Sequence, residues 1–443
     1  MSTATTHPVD EVLPLPQLLT YGLQHVLAFY AGAVLVPILV ASALDLSTAQ
    51  LIHLINADLF TCGIASLIQS VGIGSKIGVR LPLLQGVTFT AVSPMIAIGL
   101  AAGGGTEGLL SIYGSVIIAG IATFLVAPWF ARLVRFFPPV VTGTVILIIG
   151  IALLPVAAND VVEGMGPNAI QNPVIGRNLA YALGTLVLIV VIQRLSRGFL
   201  GTVAVLIGLV AGTLVAWALG DAHFDAVATS PAFGVTMPLY FGIPTFSLMA
   251  ILSMCVVMLI TMVETTGDVY AAGEIVGKPV DREDIARAIR ADGLATTLGG
   301  VMNSFPYTCF AENVGLVRMT QVRSRWVIAA AGVIMIVLGS LPKAAAIVAG
   351  IPHPVLGGAA LAMFAAVAVV GIQTLAKVDF NDHGNAVVVG TSLGLAMLCT
   401  AQPFVVGAVP PWLSILFGSG ITLGALSAIL LNALFMHAGR AAR

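Results

Sequence analysis

Apolar runs long enough to cross a bilayer recur along this chain, and no other feature constrains its fold as strongly. A membrane-spanning helix needs about 20 predominantly apolar residues. Fourteen such segments are read near residues 18–42, 48–72, 80–100, 108–130, 138–158, 177–195, 199–220, 245–268, 288–302, 304–321, 326–350, 354–377, 386–402 and 411–437, separated by short polar or Gly/Pro-containing breaks. Of 443 residues, 58% are hydrophobic and 8% charged, whereas soluble domains carry about 25% charge. The chain therefore reads as an all-α polytopic membrane protein, since a helix satisfies its own backbone in lipid. The first 17 residues lack a basic start and an apolar stretch, so no cleavable signal peptide is expected. Cys62, Cys255, Cys309 and Cys399 lie in apolar segments without metal-ligand spacing and read as small core residues. No metal or cofactor is expected.

Basic residues test this topology. With the N-terminus inside, 16 of the 18 Lys and Arg residues fall on the cytoplasmic side, and only Arg177 and Lys343 fall outside. The outer loops carry Asp45, Glu107, Asp160, Glu163, Asp221 and Asp225. This asymmetry orients the chain in a cell (inner) membrane with both termini cytoplasmic. The basic residues mark topology, and nothing suggests nucleic-acid binding.

Two local echoes suggest that the fourteen spans form a seven-plus-seven inverted repeat. The stretch "FPPVVTGTVILIIG" at 137–150 matches "PHPVLGGAALAMFA" at 352–365, and "LPLLQGVTFTAV" at 81–92 matches "FPYTCFAENVGLV" at 305–317. The second pair opens spans three and ten, which begin with residues suited to short strands and hold too few apolar residues for full crossing helices. Irregular backbone at membrane depth survives only when packed in protein or lining a wet cavity. Matching discontinuous spans therefore point to a substrate site.

Carboxylates inside spans give an independent pointer, because burying one in a membrane costs at least about 2.5 kcal/mol. Glu264 and Asp268 lie four apart in "MVETTGDVY", hence on one helical face, and Asp58, Asp292 and Glu312 occupy spans two, nine and ten. Asp58 also suits a structural acceptor for neighbouring hydroxyls, Asp268 a position near the cytoplasmic helix end, and Asp292 a cap or a partner for Arg287 and Arg290. Glu264 and Glu312, each flanked by apolar residues, read as functional.

The stretch "AENVGLVRMT" resembles the signature of the nucleobase-ascorbate transporters, the second nucleobase:cation symporter family, through Glu312, Asn313, Gly315 and Thr320. Gln321 departs from the residue that usually follows. The resemblance extends to "QHVLAFYAG", "ETTGD", "RADGL", "FPPVVTG" and "IPHPVLGGA", nearly the whole chain, and favours the purine/xanthine permease branch. It implies a core domain of spans 1–4 and 8–11 (residues 18–130 and 245–350) and a gate domain of spans 5–7 and 12–14 (131–244 and 351–437). These sit between a leader at 1–17 and a C-terminus at 438–443. It further implies a homodimer and cation-coupled uptake, commonly with protons. By the same resemblance, Glu264 binds the base, Glu312 and Ala311 contact it from span ten, and Thr88 with Phe89 line the site. His25 and Asn313 support it, and Asp268 and Asp292 join the supporting or proton-coupling set.

The chemistry suits a flat nucleobase, whose edge needs paired polar groups and whose faces need apolar walls. Glu264 or Asp292 is a candidate to carry the coupled proton. The surroundings "NSFPYT" and "NVGLV" resemble the branch for xanthine and urate, whereas Glu at 312 resembles the uracil branch. The expectation is proton-coupled purine import, xanthine first, with urate or guanine as further candidates and a uracil:proton symporter as the alternative. A sulfate or bicarbonate carrier shares the architecture, but an anion site favours a cation where Glu312 stands. A membrane-embedded enzyme lacks the expected H-E-X-X-H or G-X-S-G cluster, so no enzymatic activity is expected.

Overall fold

A computed structural model describes residues 7–133, 137–162, 172–410 and 417–441. The first half contains α1 (Leu15–Ala43), α2 (Thr48–Val71), β1 (Gln85–Val87), α3 (Val92–Ala101), α4 (Gly105–Leu133), α5 (Pro139–Val161), α6 (Ile175–Leu195) and α7 (Ala204–Ala218). The second half contains α8 (Leu248–Val276), α9 (Arg282–Val301), β2 (Tyr307–Cys309), α10 (Ala311–Thr320), α11 (Arg325–Leu338), α12 (Pro342–Ala349), α13 (His353–Leu375), α14 (His383–Ala401) and α15 (Gly420–Ala441). Glu163, Arg135, Arg443 and residues 411–416 of the last expected span lie outside the described residues.

Local chemistry sets several boundaries. Ser47 and Gln50 form a capping box at the start of α2, and Asp281 with Asp284 does the same for α9, satisfying N–H groups that a helix start leaves unpaired. Span nine, expected from residue 288, therefore begins at Arg282. Span eleven, expected as one run over 326–350, is two helices bent by 82°. Pro342 starts the second of them and has no N–H to continue the helix before it.

Among the described residues, eight helices are long and apolar enough to cross a membrane, or nine with the bent pair α11–α12. The other five expected spans are two strand-led half-helices (β1–α3 and β2–α10), the short α7, the more polar α9, and α15. Large apolar side chains such as Leu183, Val187 and Val190 on α6 are more than half exposed. A surface of that kind suits lipid or a partner helix, not water.

β1 and β2 pair antiparallel, with Gln85 opposite Cys309, Gly86 opposite Thr308 and Val87 opposite Tyr307. The alignment that lays "LPLLQGVTFTAV" on "FPYTCFAENVGLV" also lays Gln85 on Cys309, its own strand partner. That is what a two-fold relation between halves requires of the residues on its axis. Helix packing follows the same exchange: α4 with α9 recurs as α11 with α2, α4 with α8 as α11 with α1, and α6 with α13 as α14 with α5. Both of the first two crossings are glycine contacts. A Cβ on Gly293 would lie 2.5 Å from Phe124 N, and one on Gly63 would lie 2.4 Å from Gly332 O. This packing supports the proposed seven-plus-seven repeat. Its main partnerships also stay within two groups, α1–α4 with α8–α12 and α5–α7 with α13–α15, as the proposed core and gate domains require.

Several basic residues tie loops to neighbouring elements. Arg325 pairs with Asp10 at 2.6 Å and donates to Ser70 O at 2.9 Å, and Arg290 donates to Lys76 O at 3.2 Å. Next to Asp10, Val9 is fully buried in an apolar cluster with Val79, Leu81 and Phe130. Arg177, expected at the opposite face, pairs with Asp221, expected at the same face, at 3.0 Å.

Candidate functional site

Antiparallel pairing of β1 with β2 uses the backbone groups that irregular spans would otherwise leave bare in the membrane. The pairing continues beyond the strands, with Phe310 N donating to Leu84 O at 3.0 Å and Thr88 N to Pro306 O at 2.9 Å. One short helix follows each strand, α3 and α10, and the residues between strand and helix form the site. Gly86 permits the closure. A Cβ there would lie 2.3 Å from the Phe29 ring and 2.6 Å from the Phe310 ring.

Glu264, mid-way along α8, has the Thr88 and Thr90 hydroxyls beside it and lies within electrostatic reach of Glu312 and Asp292. Its Oε2 is buried and has no partner. Glu312, the second residue of α10, opens on a cavity of about 370 Å³ that Phe29, Phe310 and Gly315 also line, a volume in the range of small-molecule sites. Phe310 packs edge-on to Phe29 at 4.8 Å between centroids and lies 5.7 Å from Phe89, which meets Phe364 of α13 edge-on at 5.5 Å. Glu312 thus shares its cavity with aromatic walls. Ala311 opens α10 as its first residue.

Two buried networks brace this arrangement. Asn313 Nδ2 lies 2.9 Å from His25 Nδ1 and donates to His25 O at 3.3 Å, tying α10 to α1. That leaves Asn313 Oδ1 buried and without a partner. Asp292 accepts from Gln85 Nε2 at 2.6 Å, Gln69 Nε2 at 3.3 Å and Thr265 Oγ1 at 2.5 Å. Thr265 and Thr308 are 3.1 Å apart, so the network joins α2, β1, α8, α9 and β2. Asp292 is therefore neither a helix cap nor a partner of Arg287 and Arg290, which pair instead with Asp284 and Glu283.

Asp268 lies one turn beyond Glu264, two turns inside the end of α8, with its Oδ2 buried and without a partner. Asp58 accepts from Ser304 Oγ at 2.9 Å and Tyr307 OH at 3.3 Å, the structural-acceptor role that its sequence setting allowed. Thr320 is not brought to the others. It closes the far end of α10 by donating to Leu316 O at 2.9 Å.

Residues 16–405 match the family model Xan_ur_permease, described as a permease family. The chain belongs to the nucleobase-ascorbate transporter family. It is 42% identical over 431 residues to the uric acid transporter UacT of Escherichia coli (strain K12), covering 97% of this chain and 88% of that one. It is also 42% identical over 417 residues to a xanthine permease of Bacillus subtilis (strain 168), covering 94% and 93%. The fold resembles the transmembrane domain of the cyanobacterial bicarbonate transporter BicA, with a TM-score of 0.62 and 15% identity over 96% of this chain and all of that one.

This nucleobase-ascorbate family member is thus a transporter and not an enzyme. Sequence reading of its site omitted Gln69, Gln85, Thr265, Thr308 and Phe310. Gln85 and Thr308 sit in the two echoing stretches, and a search there for polar residues of strand-forming segments would have found them. Gln69 and Thr265 carry no such signal, since a lone Gln or Thr in an apolar helix is ordinary.

Proposed function

We propose that this permease imports a purine nucleobase by proton symport through alternating access of core against gate, as a homodimer in the cell (inner) membrane with cytoplasmic termini. The observation that carries the reading is the pairing of buried oxygens that lack partners, Glu264 Oε2 and Asn313 Oδ1, with the Phe29–Phe310–Phe89 walls. A purine supplies N–H donors along its edge and a flat face for the rings, and both are required when the acceptors are buried. The curated relatives named for urate and xanthine support the same class. They are equally similar, so similarity does not rank the two bases. Glu312 does: when ionised it only accepts hydrogen bonds and repels an anion, which puts neutral xanthine ahead of urate.

Of the two candidate proton carriers, Glu264 suits the role better. Asp292 is fixed by three donors to its two oxygens, an arrangement suited to a constant charge, whereas Glu264 keeps an oxygen to which no group donates. The test is uptake of labelled xanthine, urate, guanine and uracil by cells lacking their own base permeases, with and without a protonophore. Xanthine uptake that collapses with the protonophore is expected. Saturable uracil uptake without purine uptake overturns the purine reading, and xanthine uptake indifferent to the protonophore overturns proton coupling.

A further inference from the structure

The cavity at Glu312 has a second polar wall that the site described above does not use. Glu312, Phe310 and Gly315 belong to the β2–α10 unit, while the facing wall brings Gln193 from the last turn of α6, with Thr202 and Val205 at the start of the next span. Small residues such as Gly32, Gly201 and Ala362 line it beside Leu316 and Met363, and a Cβ on Gly315 would meet nothing within 4 Å. The open space therefore reaches from Glu312 to the opposing group of helices. The neighbouring Arg194, Arg197 and Arg318, all expected on the cytoplasmic side, put this wall on the side proposed to be cytoplasmic.

The chemistry of the two walls differs in a useful way. Glu312 only accepts when ionised, whereas the Gln193 amide and the Thr202 hydroxyl each donate and accept. The edge of a purine alternates N–H and C=O groups, so an amide and a hydroxyl hold it whichever way it turns. Thr202 Oγ1 donates to the thioether of Met319 at 3.8 Å, a weak acceptor that a base carbonyl or ring nitrogen easily replaces.

We infer that this cavity is the release site for the purine, where Gln193 and Thr202 on the gate side take over the base's edge from Glu312 on the core side. The inference rests on the purine reading above. It assigns specificity on the exit side to two gate residues and leaves recognition at Glu264 to the core.

The test uses Gln193→Cys and Thr202→Cys in the full-length protein, in membrane vesicles of both orientations, with a membrane-impermeant maleimide as probe. Cys62, Cys309 and Cys399 are buried, and the unsubstituted protein provides the background from Cys255. In inside-out vesicles, xanthine at about ten times its half-saturating concentration is expected to slow labelling roughly tenfold, by simple mass action. Gln193→Ala should raise the half-saturating xanthine concentration roughly 3- to 10-fold at the face proposed to be cytoplasmic, the worth of one hydrogen bond, and leave that at the opposite face nearly unchanged. Cysteines labelled at the same rate with and without xanthine, in vesicles that still transport it, overturn this inference alone. Vesicles of the unsubstituted protein that neither bind nor transport a purine overturn it together with the purine reading.

Discussion

Gln85 Nε2 donates to Asp292 Oδ1 at 2.6 Å, joining the first residue of β1, the partner of Cys309, to a carboxylate of α9 that no solvent reaches. Asp292→Ala would remove the acceptor that Gln85, Gln69 and Thr265 share, leaving Gln85 Nε2 only the weak acceptor Cys309 Sγ at 3.4 Å, while Gln69 keeps Ala288 O and Thr265 keeps Thr308. A buried donor so stranded costs about 1–3 kcal/mol. The expected result is a lower unfolding temperature in detergent together with lost uptake, and Asp292→Asn, which keeps one acceptor oxygen, should recover part of the unfolding temperature. An unchanged melting curve for the alanine variant would show that the network does not brace the strands.

Glu264→Ala removes the buried carboxylate beside Thr88 and Thr90. It should abolish uptake while the protein still accumulates in the membrane, because the side chain has no structural partner at Oε2. Immunoblotting of membranes alongside uptake separates loss of transport from loss of folding.

Glu312→Gln converts an acceptor into a group that donates and accepts, on a side chain that opens on the cavity. Transport should persist, with preference shifting toward xanthine or urate by roughly 5- to 10-fold, about the worth of one hydrogen bond. Competition by a panel of bases measures this, and an unchanged order of preference would remove Glu312 from specificity.

Gly293→Val places a side chain where even a Cβ lies 2.5 Å from the Phe124 backbone. The crossing of α4 and α9 must then open, costing about 1–3 kcal/mol or more. Membrane accumulation should fall sharply. The same substitution at Gly315, which faces open space, should leave accumulation intact and slow transport.

Val9→Asp would put a charge into the apolar cluster next to Asp10, where Val9 is 0% exposed. Loss of several degrees in melting temperature is expected. Arg325→Ala should have a smaller effect, since its Asp10 partner is exposed and surface ion pairs contribute about 0–1 kcal/mol. Equal effects would mean that the ion pair holds this segment as firmly as the apolar contact does.

The sequence by itself determined the helical membrane class, the uneven distribution of the basic residues along the chain, the paired odd spans and the two carboxylates proposed to head the site. Each of these follows from a one-dimensional signal: run length, charge asymmetry, a repeated Pro-led stretch, or a charge where lipid disfavours it. Only the tertiary structure decided that Asp292 is locked by Gln69, Gln85 and Thr265, that Asp58 is an acceptor for Ser304 and Tyr307, and that span eleven bends by 82°. It alone brought the buried Val9 against the core and Gln193 across from Glu312. A hydrogen bond between Gln85 and Asp292 links residues more than two hundred positions apart. Neither residue type nor local spacing carries a trace of that distance, because it is the antiparallel crossing of β1 and β2 that closes it.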